Sequence, residues 1–195
     1  MVTTYNKFIQ TKSYNKFTHT KEQFPMVAVV GAGPSLDLSK VALRLYPVVI
    51  GVNYTFQLVK LDYLVVTHFM LLLNLSQKKE ALPGGTTLVY SEYASDWMYM
   101  GSRNPQNDGV MFREYRDLQC GISTIIPAID MACQLSKNVH LFGVDLKKTE
   151  GRQYCEGYRT KQTQDDAFFA DWSRVVGCQI DALRRLTKCN IVHIR

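Results

Sequence analysis

From residue 26 onward, short apolar runs rich in β-branched residues alternate with segments whose apolar positions recur every three to four residues. The runs predict strands buried on both faces, and the periodic segments predict helices. Strands are expected over residues 26–30, 47–53, 61–67, 86–90, 138–144 and 190–194, and helices over 36–45, 54–60, 69–82, 121–134 and 165–188. Strands alternating with helices imply βαβ units with right-handed crossovers. The expected fold class is α/β: a Rossmann-like, mostly parallel sheet flanked by helices.

Residues 92–118 break that rhythm. They carry Tyr93, Trp97, Tyr99, Phe112 and Tyr115 around the polar run 101–109, and an insertion of this length on a compact domain predicts a binding loop or lid. Residues 1–25 form a polar arm with a direct repeat, TYNKFIQTK at 4–12 and SYNKFTHTK at 13–21. Two copies are too few for a solenoid. The arm reads as an extension packing Phe8 and Phe17 onto the domain, as a pair of strands, or as a basic aromatic arm that touches a partner. Residues 26–195 then form a single domain.

The chain is organised around MVAVVGAGPSLD, residues 26–37. A buried strand runs into a glycine turn and then a helix start, where free amides and the helix dipole attract phosphate. Gly31 and Gly33 let the backbone turn tightly, Pro34 suits a first helical turn, and Ser35 can bond free amides. This is not a dinucleotide fingerprint: Leu36 stands where the third glycine belongs, and Asn53 stands where a carboxylate would hold the ribose. No G-x-x-x-x-G-K-[ST] motif is present, which argues against a P-loop enzyme.

In open α/β sheets ligands sit beyond the carboxyl ends of the strands. The polar residues expected there are Gly31–Ser35, Asn53, Thr67, His68, Ser91, Glu92 and Asp145, joined by a second helix start at Gly121, Ile122, Ser123 and Thr124. Such a rim suits an anionic nucleotide or a nucleotide-sugar.

Composition narrows the classes. The chain has 195 residues, 46% hydrophobic and 21% charged, which describes one soluble globular domain. The longest apolar stretch, residues 61–75, is interrupted by His68 and is too short to span a bilayer. The N-terminus lacks the apolar core of a signal peptide. Five cysteines without paired spacing read as reduced thiols, so a cytoplasmic protein is expected. A net charge of +6, concentrated partly at the two ends, suits nucleic acid, anionic headgroups or a phosphorylated ligand, or is simply solvated surface.

The sequences G-A-G-P-S-L (31–36), the strand ending in Asn53, C-G-I-S-T-I-I-P-A-I-D-M-A-C-Q-L (120–135) and N-V-H-L-F-G-V-D-L (138–146) occur in that order. Together they resemble the bacterial sialyltransferases of glycosyltransferase family forty-two and the related MptE-like and Maf flagellin-glycosylation domains. The likeness covers roughly residues 26–160. It implies a Rossmann-like fold and, from the sialyltransferases, a CMP-sugar donor used without a metal. By the same resemblance Gly31, Ala32, Gly33, Pro34 and Ser35 lie against the donor nucleotide. Asn53 and Thr67 contact its ribose or glycosyl part, Gly121, Ile122, Ser123 and Thr124 hold base or ribose, and Asp145 either contacts ligand or caps a loop. Tyr158-Arg-Thr-Lys-Gln162 resembles the sialyltransferase lid, in which a tyrosine hydroxyl steadies the leaving phosphate. Tyr158 or Tyr154 would take that role here, with Arg152 or Arg159 supplying positive charge.

The chain departs from the sialyltransferases in one respect. They use a lid histidine as general base, and there is none between Asp145 and Lys188. Of the four histidines only His68 falls on the expected rim, where a group with pKa near about 6.5 is useful. Glu92, Asp165 and Asp166 are the other candidate bases. The expected activity is a metal-independent, inverting transfer of sugar from a CMP- or UDP-sugar to a hydroxyl, on a glycan or, given the basic charge, on a hydroxylated base in DNA. No cofactor beyond that co-substrate is expected, and a homo-oligomer is a further partner class. Two alternatives stand beside it: an MptE-like pyrophosphokinase needing ATP and magnesium, and a non-catalytic nucleotide-binding or assembly protein.

Overall fold

Seven strands form one sheet in the computed structural model, which describes residues 24–36, 42–77, 80–91, 110–112, 123–148, 150–158 and 165–194. The strands are β1 (Val27–Val30), β2 (Val49–Val52), β3 (Tyr63–Val66), β4 (Thr87–Ser91), β5 (Val110–Phe112), β6 (Asn138–Phe142) and β7 (Asn190–Ile194). Their order is β5-β4-β3-β2-β1-β6-β7, and every neighbouring pair is parallel. The α-helices that lie wholly within the described residues are α1 (Phe69–Ser76), α2 (Ile125–Leu135) and α3 (Asp166–Thr187). This is the expected Rossmann-like α/β architecture. The sheet grows outward from β1 in both directions, so the strand order reverses between β1 and β6. The crevice beyond their carboxyl ends is where such sheets hold ligands.

The central strands are buried on both faces. Alternate residues of β1 serve opposite cores, as the two-residue period of a strand requires. Val27 and Val29 pack with Ile126, Ile129 and Ala132 of α2 and Val176, Ile180 and Leu183 of α3. Ala28 and Val30 pack on the other side with Leu71 and Leu72 of α1, Leu43 and Phe56. α3 is capped by Asp165, whose Oδ1 accepts the amide of Phe168 at 2.8 Å. It ends at Lys188 in the left-handed conformation, φ 59°, and Arg184 binds the carbonyl of Ile191 at 2.9 Å, turning the chain into β7.

Four expectations are corrected. The segment expected as a helix over 54–60 is a 3₁₀ turn, Asn53–Gln57. Gly51 explains why the link is so tight: a Cβ there would lie 2.4 Å from Thr55 Oγ1 and 2.4 Å from Leu61 Cδ1. The helix expected over 36–45 is, within the described residues, a helical Leu36 and a 3₁₀ turn at Ala42–Leu45. The helix expected over 69–82 ends at Ser76. The stretch 92–118 contains a strand, β5, which extends the sheet through Val89↔Val110, Tyr90↔Met111 and Ser91↔Phe112. The rest of that stretch and the repeat-bearing arm lie outside the described residues. Among the described residues no helix is long and apolar enough to cross a membrane, and Cys133, Cys155, Cys178 and Cys189 are free thiols.

Candidate functional site

The turn after β1 is interlocked with the turn after β6. Gly31 N donates to Phe142 O at 2.8 Å and Gly33 N to Gly143 O at 2.6 Å. A Cβ on Gly31 would lie 2.5 Å from Gly143 O, and one on Gly33 would lie 2.4 Å from Asp145 Oδ2. Gly143 has φ +60°, and a Cβ there would lie 2.7 Å from Gly31 O. The glycines at 31 and 33 are therefore required by the contact between the two turns. Asp145 completes the lock: its Oδ2 accepts the Ser35 amide at 2.8 Å. That amide was expected to attract phosphate, but the protein's own carboxylate already answers it.

Beyond β2 and β3 the chain gathers three polar side chains. Asn53 takes φ 50°, a left-handed conformation that asparagine tolerates better than most residues. From there its Nδ2 donates to Thr124 Oγ1 at 3.2 Å. The Thr124 hydroxyl also bonds that of Thr67. Thr124 precedes α2 and is buried, so one hydroxyl ties together β2, β3 and the start of that helix.

The segment 150–158 crosses over the β1 turn and is pinned there by Cys155 N donating to Ala32 O at 2.8 Å. This brings Tyr154 and Tyr158 together, stacked with centroids 5.1 Å apart and planes 21° apart. Tyr54 meets Tyr158 edge-on at 6.5 Å. Burial pushes the Tyr158 phenol well above the usual tyrosine range, and the neighbouring Tyr154 adds to this. A backbone hydrogen bond from Tyr54, which favours the phenolate, offsets only part of it. Burial also raises Tyr154. Both hydroxyls are thus held protonated and available as donors.

These parts enclose one cavity of about 440 Å³ at the β1/β6 reversal. Of the residues expected at the site, Gly31, Ala32, Gly33, Asn53, Thr67, His68, Ser123, Thr124, Asp145, Tyr154 and Tyr158 all line it. His68 is exposed and occupies the N-cap position of α1. Pro34 is buried, and Ser35 faces a separate pocket with Lys147 and His193. Arg152 is exposed and off the cavity. Asp165 caps α3, and Asp166 pairs with Lys148, so neither of these candidate bases reaches the cavity. Gly121, Ile122, Glu92 and Arg159 lie outside the described residues. Among the described lining residues Asp145 is the one carboxylate, and no lysine or arginine is present. Among the described residues no group of three histidines, cysteines or carboxylates is placed to hold a metal ion.

Sequence reasoning missed four lining residues with side chains or backbone that matter: Gly143, Gln153, Phe169 and Trp172. Phe169 and Trp172 sit three positions apart on α3, a spacing that reads as ordinary core. Their rings stack with centroids 5.6 Å apart and form the wall by α3. Gln153 is almost wholly buried and carries no sequence signal at all. No protein-family profile and no curated protein sequence matches the chain.

Proposed function

We propose that the protein is a metal-independent glycosyltransferase that moves a sugar from a nucleotide-sugar to a hydroxyl acceptor. The observation that carries this reading is the convergence of Asn53, Thr67 and Thr124 with Tyr154 and Tyr158 in one cavity at the reversal of strand order. Hydroxyl and amide groups on one side suit the many hydroxyls of a sugar or ribose. Protonated tyrosine hydroxyls on another suit a phosphate that gains charge as it departs. The resemblance to the sialyltransferases of family forty-two, in the turn at 31–36 and the segments 120–135 and 138–146, points the same way.

In this reading the acceptor hydroxyl gives its proton to His68 and its oxygen forms the new bond to the anomeric carbon. The bond from that carbon to the phosphate oxygen breaks, its electron pair stays on the nucleotide, and the hydroxyl of Tyr158 donates to that oxygen. His68 is exposed on the cavity rim, so an acceptor arriving from solvent meets it first. The donor set weighs against a pyrophosphokinase, because Asp145 is the one carboxylate among the described lining residues and its Oδ2 is engaged by the Ser35 amide.

The test is a thermal-shift panel of CMP, UDP, GDP, ADP and their sugars, with and without magnesium. A ligand at about a hundredfold its Kd adds about 2.7 kcal/mol of stability. A shift with one nucleotide-sugar, unchanged by magnesium, followed by release of its nucleotide on turnover, is the expected result. A shift with ATP that requires magnesium would replace this reading with the pyrophosphokinase, and a folded protein that binds none of them would remove it.

A further inference from the structure

We infer that Trp172, backed by Phe169, is the stacking platform for the nucleobase of the bound nucleotide. The inference rests on the reading of the cavity as a nucleotide site and names which part of the ligand goes where. Phe169 is almost fully buried and packs against Trp172 with planes 26° apart, so the indole is braced from behind. Both rings line the cavity, and Trp172 also touches the main core. A braced flat ring at the edge of a polar cavity offers a face to another flat ring, and every base has such a face.

The remaining chemistry of the cavity fits the same assignment. Gln153, only 4% exposed, and Asp145 line the same cavity. An amide and a carboxylate held in fixed orientation can read the hydrogen-bonding edge of a base stacked beside them. The hydroxyl and amide cluster of Asn53, Thr67 and Thr124 comes from the ends of β2 and β3 and the start of α2, which leaves the α3 wall for the base.

The chain has two tryptophans, so Trp97→Phe makes Trp172 the sole indole reporter. That variant is titrated with CMP, UDP, GDP and ADP, with ribose 5-phosphate as the probe lacking a base and with free monosaccharides as probes lacking the nucleotide. Quenching by one or more nucleotides and none by ribose 5-phosphate or the sugars is expected. In the otherwise native chain, Trp172→Leu weakens that nucleotide roughly tenfold, and Trp172→Phe restores most of the loss. The melting temperature of the unliganded variants checks that each is folded, and the fluorescence titration does not depend on either Trp172 variant folding. If a nucleotide shifts the melting temperature but leaves Trp172 emission unchanged, the platform is overturned and the nucleotide reading stands. Equal quenching by a free sugar assigns the ring to the sugar and also overturns it. Binding of none of the nucleotides removes both.

Discussion

The carboxylate of Asp145 accepts the backbone amide of Ser35 at 2.8 Å, joining positions 110 residues apart. One amide of the turn expected to attract phosphate thus bonds an internal carboxylate. The interlock of the β1 and β6 turns is the rigid base on which the cavity stands, and its strength is open to measurement.

Replacing Asp145 with alanine leaves the Ser35 amide without its partner in a partly buried place. Such a loss costs about 1–3 kcal/mol. Asp145→Asn keeps an acceptor oxygen and should recover most of it. Urea denaturation of the three proteins checks this, and an unchanged midpoint for Asp145→Ala would show that the contact contributes nothing to stability.

The glycines give a sharper contrast. Gly33→Ala puts a methyl 2.4 Å from Asp145 Oδ2 and 2.7 Å from Gly143 O, so the two turns must separate. Overpacking of this kind costs about 1–3 kcal/mol, and backbone atoms yield less readily than side chains. Gly84→Ala meets nothing within 4 Å and should be neutral or slightly stabilising. Equal melting temperatures for the two variants would contradict the interlock.

Thr124 is the shared partner of Asn53 and Thr67. Thr124→Val keeps the shape but leaves those two side chains without it, costing about 1–3 kcal/mol, while Thr124→Ser keeps the hydroxyl. A double-mutant cycle with Thr67→Val measures the link: coupling near zero would mean the two hydroxyls act independently.

Most of this architecture was legible because the strands bury both faces and so appear as plain apolar runs, as in Val27–Val30 and Val49–Val52. The rim followed from those strand ends, which is why Asn53, Thr67, His68 and Asp145 were found together. What stayed hidden depends on tertiary contact. Val110–Phe112 is too short to show a period and becomes a strand only by pairing with β4. Nothing local distinguishes Phe169 and Trp172 from core positions, because their exposure to the cavity is decided by how α3 packs against α2 and the sheet. The bond from the Ser35 amide to Asp145 is hidden for a related reason: the two residues are 110 positions apart in sequence.

Tyr158 ties stability to pH. Burial raises its phenol above the unfolded value of about 10, so the folded protein keeps that proton after the unfolded chain has lost it. Above that pH the unfolded state binds fewer protons than the folded state, and stability falls as pH rises. The contribution is complete below about pH 10 and is lost on the alkaline side. Tyr158→Phe removes this group while preserving the stack on Tyr154, so at pH of about 8 it loses only about 0.5–1.5 kcal/mol for the hydroxyl's hydrogen bond. Between pH of about 8 and about 10.5 the variant should lose less stability than the native protein, and the gap between them should narrow. Tyr154 and Tyr46 are also raised by burial, so the variant keeps part of the alkaline slope. Urea midpoints at the two pH values test this, and parallel losses would place the Tyr158 phenol at its ordinary value. If the proposed transfer is correct, the same variant at about pH 8 binds its nucleotide-sugar but turns it over about 10²–10³-fold more slowly, because one donor to the departing phosphate is gone.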